Sequence, residues 1–181
     1  MSFTLDEIKQ IIRRSLYQLW NKDKYLLNVN ASERSITHRL AIYLREEFSD
    51  ADLDVDCEYN REGDKPKKYQ EIIDEINRSG IKADDTVAKT AFPDIIVHKR
   101  GINDKNLLVI EIKKLSGNAM PIDSIDEKKL RAFLDSDQLN YKFGLALQIP
   151  IRYGNSATLF WFEQGTENPT REECNMENGN N

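Results

Sequence analysis

Two aliphatic segments carry ionised groups where a buried strand is ordinarily apolar: FPDIIVHK at residues 92–99 and LLVIEIKK at residues 107–114. Successive strand residues point to opposite faces, so Val109, Glu111 and Lys113 share one face while Ile110 and Ile112 share the other. An acid and an ammonium group are thus neighbours by construction. If the two segments pair antiparallel with His98 opposite Leu107, Asp94 falls opposite Glu111, and directly opposed Cβ atoms lie about 4.5–5.5 Å apart. Two carboxylates at that distance repel. A magnesium ion taking oxygen ligands at about 2.0–2.1 Å would turn the repulsion into coordination. Pro93 has no amide proton and is confined to strand starts, edges and bulges, which places Asp94 where regular pairing begins to open.

The elements that must hold these groups are legible in the pattern around them. Leu5, Ile8, Ile12, Leu16 and Leu19 recur at helical spacing behind a Thr4/Glu7 capping box, predicting a helix over 5–20. A second amphipathic pattern covers 31–48, with Ile36, Leu40, Tyr43, Leu44 and Phe48 on one face. The alternation in DLDVDCEYN predicts a half-buried strand with Leu53, Val55, Cys57 and Tyr59 packed and the acids outward. Residues 61–91 change character and read as an insertion. Strands are expected over 92–98 and 107–113, then a helix with a Ser124/Glu127 capping box and an apolar stripe of Leu130, Phe133 and Leu134. FGLALQIPI, apolar on both faces, is a central strand, and ATLFWF is another. Residues 165–181 have little to bury and are expected to form a disordered polar tail, leaving one domain over 1–164.

Composition bounds the rest. A chain of 181 residues with 39% hydrophobic content can bury a core without staples. Its two cysteines, Cys57 and Cys174, suggest neither a disulfide framework nor a zinc site. The opening MSFTLDEIKQ is acidic where a signal peptide would be basic and then apolar, and no run reaches the length of a membrane span, so a soluble, cytoplasmic protein is expected. The formal charge of -5 speaks against a general nucleic-acid coat but says little about a local cleft.

Phe92-Pro93-Asp94, a spacer and then Glu111-Ile112-Lys113 resemble the signature of the PD-(D/E)xK nuclease superfamily, whose fold is restriction-endonuclease-like. The element order over about 31–151 follows that core, α-β-β-β-α-β, with an extra N-terminal helix and a further C-terminal strand. The runs ERSITHRLAIYLREEF and VDCEYNR, with PDIIVHKRG and LLVIEIKK, look like an uncharacterised bacterial branch of it. One exonuclease branch's Q-x-x-x-Y motif is missing. The resemblance implies an α/β domain with a central mixed sheet flanked by helices, and Mg²⁺- or Mn²⁺-dependent hydrolysis of phosphodiester bonds, with DNA as the expected partner and endonuclease action. Asp94, Glu111 and the backbone carbonyl of Ile112 would hold the ion, Lys113 would orient the attacking water, and Glu33 would match the acidic residue many members carry on the first core helix. The alternative is an inactive module that keeps the fold to bind nucleic acid or protein, including as a subunit of a defence or phage-encoded complex; self-pairing stays open.

Each of these residues also has a plainer reading. Asn30 could complete a capping box with Glu33, a structural task that needs no metal. Lys114, opposite Lys113, is expected to reach solvent. Related nucleases place phosphate-contacting groups where Asp126, Lys128 and Lys129 begin the second core helix, but a solvated first turn is the simpler account. Arg61, Lys65, Lys67 and Lys68 could form a phosphate-binding lip or only a soluble loop. His98 and His38 have no partner suggesting a metal site or a nucleophile triad and read as structural or surface groups.

Overall fold

The computed structural model describes residues 3–59, 61–62, 65–66, 92–137, 139–152 and 154–178. It is an α/β protein. Two N-terminal helices, α1 (Leu5–Asn28) and α2 (Glu33–Glu47), precede strands β1 (Asp54–Cys57), β2 (Arg61–Glu62), β3 (Lys65–Pro66), β4 (Ile95–His98) and β5 (Leu108–Leu115). Helix α3 (Ser124–Asp135) and strands β6 (Phe143–Pro150), β7 (Ser156–Glu163) and β8 (Thr170–Asn175) follow. Six strands form one sheet in the order β1-β4-β5-β6-β7-β8, and β2 with β3 makes a separate two-stranded pair. Among the described strands, only β5 and β6 run parallel. Parallel neighbours need a crossover, and α3 supplies it.

The helices take opposite faces of the sheet. Ile8, Ile12, Leu16 and Leu19 of α1 and Ile36, Leu40 and Leu44 of α2 share a core with Ile95, Val97, Ile110, Ile112, Leu145 and Leu147. On the other face, Leu130, Phe133 and Leu134 of α3 pack with Ile96, Val109, Ala146, Phe160 and Phe162. Fully burying each such side chain contributes about 1.5–3 kcal/mol, so the sheet is held from both sides. Gly144 lets α3 come close: a Cβ built there would lie 2.9 Å from Leu134 Cδ1 and 3.3 Å from Phe162 Cβ.

Helix α1 starts with the expected capping box: the Thr4 hydroxyl accepts the Glu7 N–H and the Glu7 carboxylate accepts the Thr4 N–H at 2.8 Å. It outruns the expected end at residue 20 because Leu27 adds a buried turn. Asp23 departs from helical geometry within it, with φ -127°, and there its carboxylate receives the Arg39 Nε–H at 2.8 Å and the Tyr43 hydroxyl.

Several expectations are corrected. Residues 170–175, placed in a disordered tail, form β8 along β7. An edge strand needs one buried face only: Cys174 and Met176 supply apolar contact, while Glu172 accepts the Trp161 indole N–H at 3.1 Å and faces Lys9 and Arg13 of α1. Cys57, expected to pack, is exposed at the sheet margin, where a strand has a neighbour on one flank only. Helix α3 is capped by Asp123, whose carboxylate accepts the Ile125 N–H at 2.8 Å, and not by Ser124. Helix α2 is capped by Ser32; Asn30 sits in the left-handed region at φ 53° and forms no box with Glu33. Apart from the strand residues 61–62 and 65–66, the expected insertion lies outside the described residues. Among the described residues, no helix is long and apolar enough to cross a membrane.

Candidate active site

The site grows from the place where β4 stops and β5 continues. Their register pairs Ile95 with Ile110, Ile96 with Val109 and Val97 with Leu108, the register in which Asp94 stands across from Glu111. Beyond Ile110, β5 runs on for five residues beside β6 but without β4. Alternate amides along a strand point to the same edge, so the N–H groups of Ile112 and Lys114 face the gap left by β4. Two carboxylates fill it: Asp94 Oδ2 accepts the Ile112 N–H at 2.7 Å and Glu33 Oε2 accepts the Lys114 N–H at 3.1 Å. The Asp94 carbonyl meanwhile accepts the Glu58 N–H of the next chain segment at 3.3 Å. Asp94 is therefore clamped from both sides, and Glu33 does the work of a missing strand in place of a capping box.

Strand parity directs Glu111 and Lys113 to the α3 face, and α3 answers with opposite charges in reverse order. Lys129 Nζ lies 2.8 Å from Glu111 Oε2, and Lys113 Nζ lies 3.5 Å from Asp126 Oδ2. Glu111 and Lys129 are only 4% and 5% exposed, whereas the Lys113 side chain is 51% exposed. The solvated reading of Lys129 is thus overturned. It lies on the stripe of Asp126, Leu130 and Phe133, and a charge embedded in an apolar stripe was the signal in the sequence. Lys128 is exposed. Lys114 does not reach free into solvent; its ammonium donates to Asn30 Oδ1 and the Ala31 carbonyl, both at 2.8 Å.

Burial and crowding shape the titration of these groups. Burial raises the Asp94 pKa, and Glu33 adds to it, against the Ile112 N–H and the cations of Lys129 and Lys113. Burial pushes Glu111 up to about 8, helped by Asp94 and Asp126 and opposed by Lys129. Burial also raises Asp126. Lys113 is raised too: burial works against its charge, but Asp126, Glu33 and Glu111 outweigh it. Asp94 and Lys113 each feel the charge of the other and of Glu33, and Glu111 is coupled to both of them, so the structure brings together the four residues singled out in the sequence.

Compared with protein-family models, curated proteins and solved structures, the chain finds no match. Among the described residues, no group of three His, Cys, Asp or Glu side chains is placed to hold a metal ion. Two carboxylates stand across from each other there, Asp94 and Glu111, and the resemblance adds the Ile112 carbonyl as a third oxygen. Glu111 Oε1 is buried with no hydrogen-bond partner, and a buried acceptor left unsatisfied costs about 1–3 kcal/mol or more. Because Mg²⁺ keeps several waters and takes one or two carboxylates, this donor set fits it.

Gln148 was missed in the sequence, although a lone amide in an otherwise apolar strand marks it. It pairs with Lys113 across β5 and β6, and its side chain binds the Met120 backbone twice, accepting at 3.1 Å and donating at 2.8 Å. The loop before α3 is thereby fixed beside Lys113. His98, read as a structural or surface group, is buried with Nε2 3.0 Å from Asp56, far along β4 from Asp94. The side chains of Arg61 and Lys65, and the whole of Lys67 and Lys68, lie outside the described residues, so the basic lip does too.

Proposed function

We propose that this chain is a metal-dependent nuclease acting on phosphodiester bonds, with DNA as substrate, built on a restriction-endonuclease-like core. The observation that carries this reading is the convergence of Asp94, Glu111 and Lys113 on one face at the divergence of β4 and β5, with a buried Glu111 oxygen left without a donor. The resemblance of P-D and E-x-K to PD-(D/E)xK nucleases supports it, as does a βαβ unit that carries Glu111, Lys113 and α3 in that order.

Asp94, Glu111 and the Ile112 carbonyl would hold Mg²⁺ or Mn²⁺, with Glu33 next to Asp94. When bound, such an ion lowers the pKa of water and neutralises charge on phosphate. The chain's own residues do the rest. Lys113, half exposed and cationic, is able to meet a phosphate oxygen and to stabilise the negative charge that builds in the transition state. Asp126 restrains its ammonium group from behind. Glu33 and Asp94 hold the β5 edge straight, so that Glu111 and Lys113 keep their spacing.

The test is cleavage of plasmid, linear, branched and single-stranded DNA, and of RNA, with Mg²⁺, Mn²⁺ or EDTA. Cutting should need the cation and be lost in Asp94→Asn and Lys113→Met. Cutting that persists in both variants would sink the proposal. A second reading, an inactive module for nucleic-acid or protein binding, draws on the fact that Glu111 and Lys113 already have protein partners in Lys129 and Asp126. It is favoured if the folded protein binds no divalent cation.

A further inference from the structure

Lys129 has no part in the scheme above, yet it is the most deeply buried cation near the site. Four carboxylates, those of Asp94, Glu111, Asp126 and Glu33, face two ammonium groups, Lys113 and Lys129. The acids therefore outnumber the cations set among them. Without Lys129, Glu111 keeps no partner at either oxygen. A carboxylate that is 4% exposed cannot turn to water for compensation.

We propose that Lys129 is a positioning residue and the resident counter-ion of this site: its ammonium group holds Glu111 Oε2 in the cation-free protein, leaves Oε1 available, and competes with a divalent cation for the carboxylate. The inference rests on the metal-binding reading and deepens it. Lys129 reaches Glu111 because Asp126 and Lys129 lie one turn apart on α3 while Glu111 and Lys113 lie two apart on β5, so both contacts form together. Gly144 sets how near the helix comes. The ammonium group thus keeps the acids from repelling one another before any cation arrives, and its attraction for Glu111 must be overcome when one does.

The experiment compares the native protein, Lys129→Met and the double variant Glu111→Leu/Lys129→Met by manganese calorimetry and by thermal unfolding with and without Mn²⁺. Removing one partner of a buried pair should lower the cation-free Tm of Lys129→Met by about 6–20 °C, whereas the apolar pair should restore most of that loss. Lys129→Met should bind Mn²⁺ at least about fivefold more tightly than native and regain more stability from it, because the competitor is gone. If Lys129→Met does not fold, Lys129→Gln, which keeps a donor but no charge, takes its place. Native protein that binds Mn²⁺ with Lys129→Met no tighter would overturn the counter-ion proposal and leave the nuclease reading standing. A double variant no more stable than the single one would also overturn it, since Lys129 would then act by packing. Absence of Mn²⁺ binding in both native and Lys129→Met would overturn the metal reading and the competition together.

Discussion

Asp94 holds a backbone amide and, on the proposed function, a cation, and a pair of substitutions can separate the two. Its carboxylate accepts the Ile112 N–H at 2.7 Å, and Ile112 is fully buried. Asp94→Ala leaves that amide without an acceptor, at a cost of about 1–3 kcal/mol, or about 2–12 °C in Tm for a domain of this size. Asp94→Asn keeps a carbonyl oxygen in place and removes a charge whose burial is unfavourable, as its raised pKa records. Its Tm should stay within about 2 °C of native or exceed it. A carboxyl raised by folding binds its proton more tightly in the folded state, so its contribution to stability falls as pH rises from about 4 through the folded pKa. Asp94→Asn should flatten that decline. Thermal unfolding followed by tryptophan fluorescence suits the measurement, because Trp20 and Trp161 are both buried. On the proposed function, both variants should also lose Mg²⁺-dependent cleavage. The reasoning fails if Asp94→Ala matches native in Tm, or if Asp94→Asn falls as far as Asp94→Ala.

Glu33 gives a parallel case: Glu33→Ala should cost about 1 kcal/mol and speed hydrogen exchange at the Lys114 amide, while Glu33→Gln should do neither. Gly144→Ala should destabilise by about 1–3 kcal/mol in urea unfolding, because its Cβ meets Leu134 and Phe162. Asp56 lies in a half-buried network where burial works against ionisation, but Arg100 and His98 prevail and hold its pKa far below the ordinary value. Protonation therefore favours the unfolded chain: the stability it supplies is present above about pH 4 and lost as pH falls further toward the folded pKa. The urea midpoint should drop on acidification over that range, and less steeply in Asp56→Asn.

The sequence disclosed much of this arrangement for a physical reason. Strand parity has no slack, so once LLVIEIKK is read as a strand, Glu111 and Lys113 must share a face; Pro93 marked where β4 begins, while the register of Asp94 against Glu111 was one supposition about the pairing, and it is the one the two strands take. Helix starts were less legible: Asn30, Ser32, Asp123 and Ser124 are all able caps, and only the backbone angles and the final hydrogen bonds choose among them. Lys129 was misread because its position in the first turn was weighed above its place on the apolar stripe. The strand at 170–175 escaped notice because Glu172 and Glu173 find partners on α1 and β7, which no local pattern records.

The two outer strands of the described sheet have one property in common. Strand β1 presents Asp54 and Asp56 tied to Arg45, Arg100 and His98, and β8 presents Arg171, Glu172 and Glu173. A stray strand seeking to extend the sheet at either margin would have to lie against these fixed charges and strip their hydration, which natural sheets use to discourage aggregation. A chain whose central strands are among its most aliphatic segments is thereby protected from lateral polymerisation while its interior remains well packed.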